Sequence, residues 1–419
     1  MSVEVPPRRV ERDELLLDYQ RTRQASEAIC FPLSPDDYQI QSIVETSPPK
    51  WHMGHVTWFF ETFLLQAFVP DYRPFHPQFN YVFNSYYQTV GSMHPRARRG
   101  LLSRPTIEEV YAYRAAIDAR MLELIASVPE SQWPAVAERV TLGLNHEQQH
   151  QELLYMDIKH NLSVNPLKPA YTAQALPLVD KATPLGWLER AEDLQETGFA
   201  GDGFAFDNER PQHKSWLEAH RLADRLSANA EYLAFIKDGG YQRPELWLAD
   251  GWAYINQHGW QAPLYWEQRD GEWYEFTLHG LMPLNPAAPV AHTSYYEADA
   301  FARWSGKRLP LETKLESRLL ELEPEGQFTD SGIFHPQPGS GQWFGTLWEW
   351  TASPYTAYPR FKTLEGSMGE YNGKFMNNQW VLRGGACVTP REHIRPTYRN
   401  FFYPHDRWQF SGIRLAEYL

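Results

Sequence analysis

The segment HEQQHQELLYMDIKH, residues 146–160, places two histidines four residues apart in a long helical pattern. Residues at positions i and i+4 of an α-helix project from one face about one turn apart, so His146 and His150 can bind the same ion. The spacing also matches the H-E-x-x-H motif of zinc proteases. The elongated form of that motif requires glycine and histidine where this chain has Leu153 and Met156. The protease interpretation therefore lacks its third ligand.

A candidate third ligand lies upstream, in the segment WHMGHVTWFFE. His52 and His55 are three residues apart, so only one of them needs to face the interior of a bundle. Taking His55 with His146 and His150 gives three neutral imidazoles from two helices. Such a set leaves three positions of an octahedral ion open, which suits iron(II) chemistry with dioxygen better than closed structural zinc.

The first 160 residues predict a four-helix bundle, because four amphipathic segments have helical length and spacing. The helices are expected over residues 11–30, from residue 48, from residue 106 and over residues 135–159. Ser47 is the expected N-cap of the second helix, with Pro48 in its first turn. Thr106 and Glu109 form the expected capping box of the third.

The second half of the chain has a different character. Residues 163–190 are rich in proline and poor in periodicity, which predicts a linker between a helical domain, 1–162, and a second domain, 191–419. Short apolar runs broken by Gly, Pro, Asn and Asp predict an irregular α+β domain. Helices are expected within it at residues 227–237 and 295–305.

Composition narrows the class of protein. A length of 419 residues predicts two domains, and a net charge of -13 argues against nucleic acid as a partner. No run of 18 apolar residues is present, and the start lacks a signal-peptide core, so neither a membrane span nor secretion is expected. Two cysteines, Cys30 and Cys387, cannot form a disulfide framework, which favours the cytoplasm.

Motifs in both halves resemble one family. SPPKWHMGHVTWFFETFLL and HEQQHQELLYMDIKH resemble the DinB-like domain of the sulfoxide synthases of ergothioneine biosynthesis. GKRLPLETKLE, GTLWEWTASPY, LRGGACVT and RPTYRNFFYPHDRWQFSGIRLA resemble the formylglycine-generating-enzyme (sulfatase-modifying factor) domain, which has a C-type-lectin-like fold. The resemblance implies a multidomain protein in which a DinB-like four-helix bundle is followed by that α+β domain.

The resemblance also implies a reaction. Members of the family are non-haem iron enzymes that join a thiol sulfur to carbon 2 of the hercynine imidazole and oxidise that sulfur to a sulfoxide with dioxygen. It implies His55, His146 and His150 as the ligands of Fe(II). It further implies that Gln149 lies next to the hercynine ring. Asn400, Phe401 and Phe402 are implied near the substrates, because a trimethylammonium group is recognised by π faces and oxygen dipoles.

The resemblance also implies an acid, because carbon–sulfur bond formation and sulfoxidation need a proton that a tyrosine hydroxyl can deliver. In one branch of the family this tyrosine comes from the second domain, and in another a Tyr-Tyr pair comes from the helical domain. Tyr86 and Tyr87 in NSYYQTVG match the second branch, and Tyr87 is the preferred candidate. No position of SMGEYNGKF, where the first branch carries its tyrosine, is assigned that role.

The thiol is expected to be cysteine. Relatives that use γ-glutamylcysteine carry an acidic residue two positions after the asparagine, where this chain has Phe402. An unpaired buried ammonium would cost roughly 1–3 kcal/mol there. Arg96 and Arg99 are the candidate partners of the cysteine carboxylate. Enzymes that use γ-glutamylcysteine or a selenosugar, and a DinB-like metal-dependent thiol transferase, remain alternatives; a formylglycine-generating oxidase would need more cysteines than Cys387.

Overall fold

The computed structural model describes residues 11–177 and 181–419. The expectations for the amino-terminal start and for residues 178–180 of the predicted linker therefore concern residues outside the described ones. The chain divides into two units that are not continuous in sequence. The first contains the residues up to Asn165 with Gly201–Phe204 and Leu364–Tyr371, and the second contains Pro166–Ala200, Ala205–Thr363 and Asn372–Leu419.

The first unit is built on four long helices, as the sequence predicts. Its helices are α1 (Arg12–Cys30), α2 (Pro49–Phe60), α3 (Phe79–Phe83), α4 (Ile107–Ser127) and α5 (Trp133–Ser163). Helix α2 continues through a π-helical turn, Glu61–Leu65, and a last turn, Gln66–Phe68. A 3₁₀ segment, Arg96–Leu101, precedes α4.

Local signals explain where two of these helices begin. The capping box of α4 is confirmed: the Thr106 hydroxyl accepts the Glu109 N–H at 3.2 Å, and the Glu109 carboxylate accepts the Thr106 N–H at 2.6 Å. The prediction that Ser47 caps α2 is wrong, because Pro48 occupies the cap position without a side-chain hydrogen bond. The Ser47 N–H instead donates to the Asp157 carboxylate at 2.7 Å.

Helix α2 is the central helix of the unit. All residues from Pro49 to Phe60 are buried, which is typical of a helix surrounded by others. It packs against α4 and α5. A Cβ atom at Gly143 of α5 would lie 2.6 Å from the Phe60 ring, so the approach of α5 to α2 depends on this glycine. The close approach brings the two histidine-bearing helices together.

The second unit contains short strands in five small sheets among the residues described. The strands are β1 (Trp187–Arg190), β2 (Asp193–Thr197), β3 (His213–Leu217), β4 (His220–Ala223), β5 (Trp266–Arg269), β6 (Glu272–Thr277), β7 (Gly280–Pro283), β8 (Gly326–Gln327), β9 (Phe344–Gly345), β10 (Trp348–Pro354), β11 (Trp380–Arg383), β12 (Asn400–Phe402), β13 (Ser411–Gly412) and β14 (Ala416–Tyr418). The sheets have the strand orders β1-β4-β14, β12-β11-β10-β13, β2-β3, β5-β6-β7 and β8-β9. Pairing is antiparallel except between β10 and β13 and between β8 and β9.

Among the described residues of this unit, four helices of at least eight residues accompany these strands. They are α6 (Asn229–Lys237), α7 (Ala249–His258), α8 (Tyr295–Trp304) and α9 (Glu312–Leu319). Helices α6 and α8 confirm the two predicted ones. Strand β1, however, lies inside the predicted linker, and the described linker residues from Pro166 onward belong to the second unit. None of the helices in the described parts of the chain is long and apolar enough to cross a membrane.

Candidate metal centre

Three buried histidines of the first unit converge on one point. His55 comes from α2, and His146 and His150 come from α5; one nitrogen of each lies within 4.8 Å of the others. The Nε2 atoms of His55 and His146 are 3.2 Å apart. Two imidazole nitrogens bound to one ion at about 2.1 Å and at right angles would lie roughly 3.0 Å apart. The three residues therefore fit a single metal ion.

The Nδ1 atoms of two of these histidines are held by the protein. The His55 Nδ1–H donates to the Phe83 carbonyl oxygen at 2.6 Å, which leaves its Nε2 lone pair for a metal. His150 Nδ1 lies 2.8 Å from His52 Nδ1. The sequence requires only one histidine of WHMGH to face the interior, but both do: His52 is also buried, and it packs behind His150.

Burial keeps the three imidazoles neutral. It lowers the pKa of His146 to about 3, although the neighbouring Glu147 carboxylate opposes the shift. Burial, followed by the nearby His146 ring, also holds the pKa values of His55 and His150 well below the usual value. A neutral imidazole offers its lone pair without first losing a proton, so the cluster is in the form that binds metal.

Glu147 does not face this cluster. Its carboxylate is fully buried and accepts hydrogen bonds from Arg23, Arg114 and Ser26, each at 2.7 Å. Burial alone would raise the pKa of Glu147, but Arg114 and Arg23 outweigh that effect and lower it to about 2. A carboxylate fixed between two guanidinium groups is not available as a general base, which removes the catalytic residue of the protease interpretation.

Gln149 lies one residue before His150 on α5 and is partly exposed. It is three residues after His146, so these side chains leave neighbouring positions of one helix face. The neighbouring Gln151 instead turns toward α1, where its amide donates to the Thr22 carbonyl oxygen at 2.9 Å. The placement of Gln149 on the metal-binding face is compatible with its predicted contact to hercynine, which stays a prediction.

Tyr86 and Tyr87 form part of a tyrosine cluster near the histidines. Their rings stack with centroids 4.6 Å apart, and burial raises the pKa of both hydroxyl groups. Tyr371 joins them: its ring lies 6.2 Å from that of Tyr86 and 5.7 Å from that of His146. Sequence reasoning did not single out Tyr371, although SMGEYNGKF contains no other tyrosine.

Within the first unit, hydrogen bonds to the Glu370 carboxylate, here called the Glu370 clasp, connect the segment Leu364–Tyr371 to Gln88 and Thr89. Its carboxylate accepts the backbone N–H groups of Gln88 and Thr89 at 3.0 and 2.9 Å, and the Thr89 hydroxyl at 2.6 Å. The Thr89 hydroxyl also lies 2.9 Å from the Ser367 hydroxyl. These bonds fix the residue that precedes Tyr371.

The two candidate arginines have different environments. Arg96 is exposed, and its guanidinium donates to the Glu45 carbonyl oxygen. Arg99 is buried and lies 3.3 Å above the ring of Trp51, which in turn stacks on His55 at 4.7 Å. The two arginines bond to different partners, and their predicted role as partners of the cysteine carboxylate stays a prediction.

The predicted substrate residues of the second unit lie on the edge strand β12. Asn400 and Phe402 point to one face of this strand and Phe401 to the other. Phe401 stacks on Tyr355 with ring centroids 4.1 Å apart, and Phe402 packs edge-on against Trp408 at 5.4 Å. Their predicted roles stay predictions.

Two family models match the chain. The DinB superfamily matches residues 18–154, and the sulfatase-modifying factor enzyme 1-like domain matches residues 191–319 and 322–419. These matches confirm the predicted fold class, a helical DinB domain followed by a sheet-rich domain of the formylglycine-generating-enzyme type.

Several named proteins are similar in sequence to one or both halves of this chain. A hercynine oxygenase of Mycolicibacterium thermoresistibile is 29% identical over 88% of this chain and 87% of its own. Ergothioneine biosynthesis protein 1 of Schizosaccharomyces pombe is 29% identical over 58% of this chain and 32% of its own. A formylglycine-generating enzyme of Streptomyces coelicolor is 26% identical over 45% of this chain and 74% of its own. The hercynine oxygenase is similar to this chain across both units.

Proposed function

The chain belongs to the sulfatase-modifying factor enzyme 1-like domain family, and from this premise we propose that it is an iron(II)- and dioxygen-dependent sulfoxide synthase. It joins the sulfur of cysteine to carbon 2 of the hercynine imidazole. The observation that carries the proposal is the convergence of His55, His146 and His150 in a buried, uncharged cluster. The similarity to hercynine oxygenases over most of both chains supports the choice of substrate.

The three histidines would hold iron(II) through imidazole nitrogens alone. A set of three neutral donors without a carboxylate leaves positions open for substrates. The chemistry that iron(II) supplies when bound is the activation of dioxygen. The protein contributes three buried imidazoles, and burial raises the pKa of the hydroxyl groups of Tyr86 and Tyr87 in the nearby tyrosine cluster.

The overall reaction balances with one molecule of dioxygen. Forming the carbon–sulfur bond removes the hydrogen of carbon 2 and the hydrogen of the thiol, which is a two-electron oxidation. Adding one oxygen atom to sulfur is a second two-electron oxidation. The four electrons reduce dioxygen, one atom of which enters the sulfoxide while the other leaves as water. Water formation consumes protons, so a proton donor beside the histidines is needed.

We assign the proton donor to the tyrosine cluster. Tyr87, with Tyr86 as the less favoured member of the pair, is the donor that the sequence predicts. Tyr371 is its rival, because its ring lies 5.7 Å from that of His146, a histidine of the cluster. Burial raises the pKa of Tyr87, so its hydroxyl carries a proton at neutral pH.

Arg99 is the candidate partner of the cysteine carboxylate. Its guanidinium donates only to the hydroxyl groups of Ser47 and Ser85, at 3.0 and 3.1 Å, and its Nε–H has no partner among the described residues. A buried cation without a paired anion is costly, whereas a substrate carboxylate would complete its hydrogen bonds. Arg96 is the weaker candidate because its guanidinium is already bonded to the chain.

For hercynine, Gln149, Asn400 and Phe401 are the proposed contacts. An amide can bond the imidazole ring, and an aromatic face attracts a trimethylammonium group that cannot donate ordinary hydrogen bonds. Replacing Asn400 with alanine is expected to raise the KM for hercynine more than the KM for cysteine.

The test is to incubate purified protein with hercynine, cysteine, iron(II) and air and to analyse the products by mass spectrometry. The expected product has the mass of hercynine plus cysteine plus one oxygen minus two hydrogens. It should be absent when either iron or dioxygen is withheld. A thiol transferase of the DinB-like class would form a product under argon, and that result would overturn the proposal.

The choice of thiol is tested by comparing kcat/KM for cysteine and γ-glutamylcysteine. We expect cysteine to be preferred, because Phe402 offers no carboxylate to the ammonium group of a γ-glutamyl arm. A higher kcat/KM for γ-glutamylcysteine, or for a selenosugar donor, would assign a different donor to the same reaction. A second candidate function, formylglycine generation, is suggested by the relative from Streptomyces coelicolor but needs a reactive cysteine pair. Of the two cysteines of the chain, Cys387 alone falls in the second unit, where it is buried.

A further inference from the structure

His52 and Asp157 form a buried chain of side chains behind the metal ligand His150. His52 Nδ1 lies 2.8 Å from His150 Nδ1, and His52 Nε2 lies 2.9 Å from Asp157 Oδ2. The exposed fractions of His52 and Asp157 are 3% and 2%. His150 and Asp157 are seven residues apart, two turns along α5, so one imidazole from α2 bridges both positions.

The carboxylate end of this chain is itself fixed. Asp157 Oδ2 also accepts the backbone N–H of Ser47 at 2.7 Å, at the entry to α2. The Asp157 carboxylate on α5 therefore bonds both to the start of α2, at Ser47, and to His52 on α2, which in turn lies against His150 on α5.

The direction of the hydrogen bonds follows from which groups can donate. An ionised carboxylate only accepts, so His52 Nε2 carries the hydrogen and, in the neutral ring, His52 Nδ1 has the lone pair. His150 Nδ1 must then donate to His52 Nδ1. The remaining nitrogen of His150, Nε2, is left with its lone pair, which is the form a metal ligand requires.

We propose that His52 and Asp157 are positioning residues that set the tautomer and ring orientation of His150 for metal binding. The inference rests on the proposed three-histidine site and adds two residues to it. The ligands differ in this respect: His55 is held by the Phe83 carbonyl oxygen, whereas His146 Nδ1 has no hydrogen-bond partner in the described part of the structure. Of the three ligands, His150 is therefore the one whose hydrogen bond at Nδ1 can be removed by substituting a neighbouring side chain.

The test uses two replacements of His52 that differ in hydrogen bonding. His52→Phe keeps a planar ring of similar size but accepts nothing from His150. His52→Gln offers an amide oxygen that can accept from His150 and an amide N–H that can donate to Asp157. Asp157→Asn keeps the shape of the carboxylate without its charge. His160→Gln is the control, since His160 is a buried histidine of α5 whose Nδ1 lies 2.6 Å from the Ser42 hydroxyl instead.

The measurement is anaerobic titration with iron(II), and with cobalt(II) for its visible absorption spectrum. We expect the dissociation constant to rise about 10- to 100-fold in His52→Phe, with an altered cobalt spectrum, and by a smaller factor in Asp157→Asn. His52→Gln should recover most of the affinity, and His160→Gln should match wild type. Thermal unfolding of the metal-free proteins shows which variants are folded.

Two results would overturn the proposal that His52 and Asp157 position His150. One is wild-type affinity and an unchanged cobalt spectrum in folded His52→Phe. The other is equal weakening in His52→Phe and His52→Gln, which would show that the imidazole matters for packing and not for its hydrogen bonds. Failure of the wild-type protein to bind metal at all would instead contradict the proposed function.

Discussion

Tyr371 and the Tyr86–Tyr87 pair place three phenol groups beside the histidine cluster. Tyr87 packs against Trp58 and Phe63, with ring centroids 5.7 and 5.0 Å away. Tyr371 is the member whose ring approaches His146. Both branches of the family resemblance thus have a candidate tyrosine in this chain, and single substitutions can separate them.

Replacing the proton donor with phenylalanine should divert dioxygen from carbon–sulfur bond formation to oxidation of the thiol. We expect one of Tyr87→Phe and Tyr371→Phe to lose about 10²-fold or more in sulfoxide formation, the usual contribution of a positioned acid, while cysteine sulfinate accumulates. The ratio of the two products is measured by mass spectrometry. Tyr113→Phe is the control, because the Tyr113 hydroxyl donates to Glu61. Unchanged ratios in Tyr86→Phe, Tyr87→Phe and Tyr371→Phe would exclude the cluster as the donor.

Arg99 should bind the carboxylate of the thiol. Arg99→Met keeps an unbranched side chain beside Trp51 but removes the guanidinium and its charge, so the KM for cysteine is expected to rise by about 10- to 100-fold, the range for hydrogen bonds to charged groups. The KM for hercynine should change little. Arg98→Met, at an exposed position one residue away, is the matched control and should leave both constants unchanged. An equal rise in both KM values would point to a structural role for Arg99.

The segment Leu364–Tyr371 shows, at the scale of one element, what the sequence could predict and what it could not. Helix starts with local signals, such as the capping box at Thr106, were predicted correctly because all the partners lie within four residues. The cap at Ser47 was not, because the Ser47 hydroxyl accepts a hydrogen bond from Arg99, which is 52 residues away, and not from an N–H group of the first turn of α2. The packing of Leu364–Tyr371 with the first unit is likewise a contact between distant parts of the chain.

The Glu370 clasp predicts a specific defect. Glu370→Ala removes the acceptor of two backbone N–H groups and one hydroxyl, so the segment should lose its fixed position. If Tyr371 is the donor, the variant should produce more cysteine sulfinate and less sulfoxide, while iron binding is retained. Glu365→Ala removes an exposed carboxylate from the same segment and should behave as wild type. A wild-type product ratio in Glu370→Ala would show that the clasp does not support the donor.

At the scale of the whole molecule, the division into a helical unit and a sheet-rich unit was predictable. The change from helical periodicity to short apolar runs occurs near residue 163, and the two family matches fall on either side of it. The three histidines were also predictable, because two share a helix face and the third lies in the central helix. The sequence could not predict that Gly201–Phe204 and Leu364–Tyr371 also belong to the first unit, since these segments join it only through tertiary contacts.

The most direct test of the three-histidine iron site is the number of iron ions bound per chain under anaerobic, saturating conditions. We predict one iron per wild-type chain, one per chain in His160→Gln, and none in His55→Ala, His146→Ala or His150→Ala, because each lost imidazole leaves the ion without a third protein ligand. Full occupancy in His55→Ala together with loss of iron in His52→Ala would contradict the assignment and make His52 the ligand.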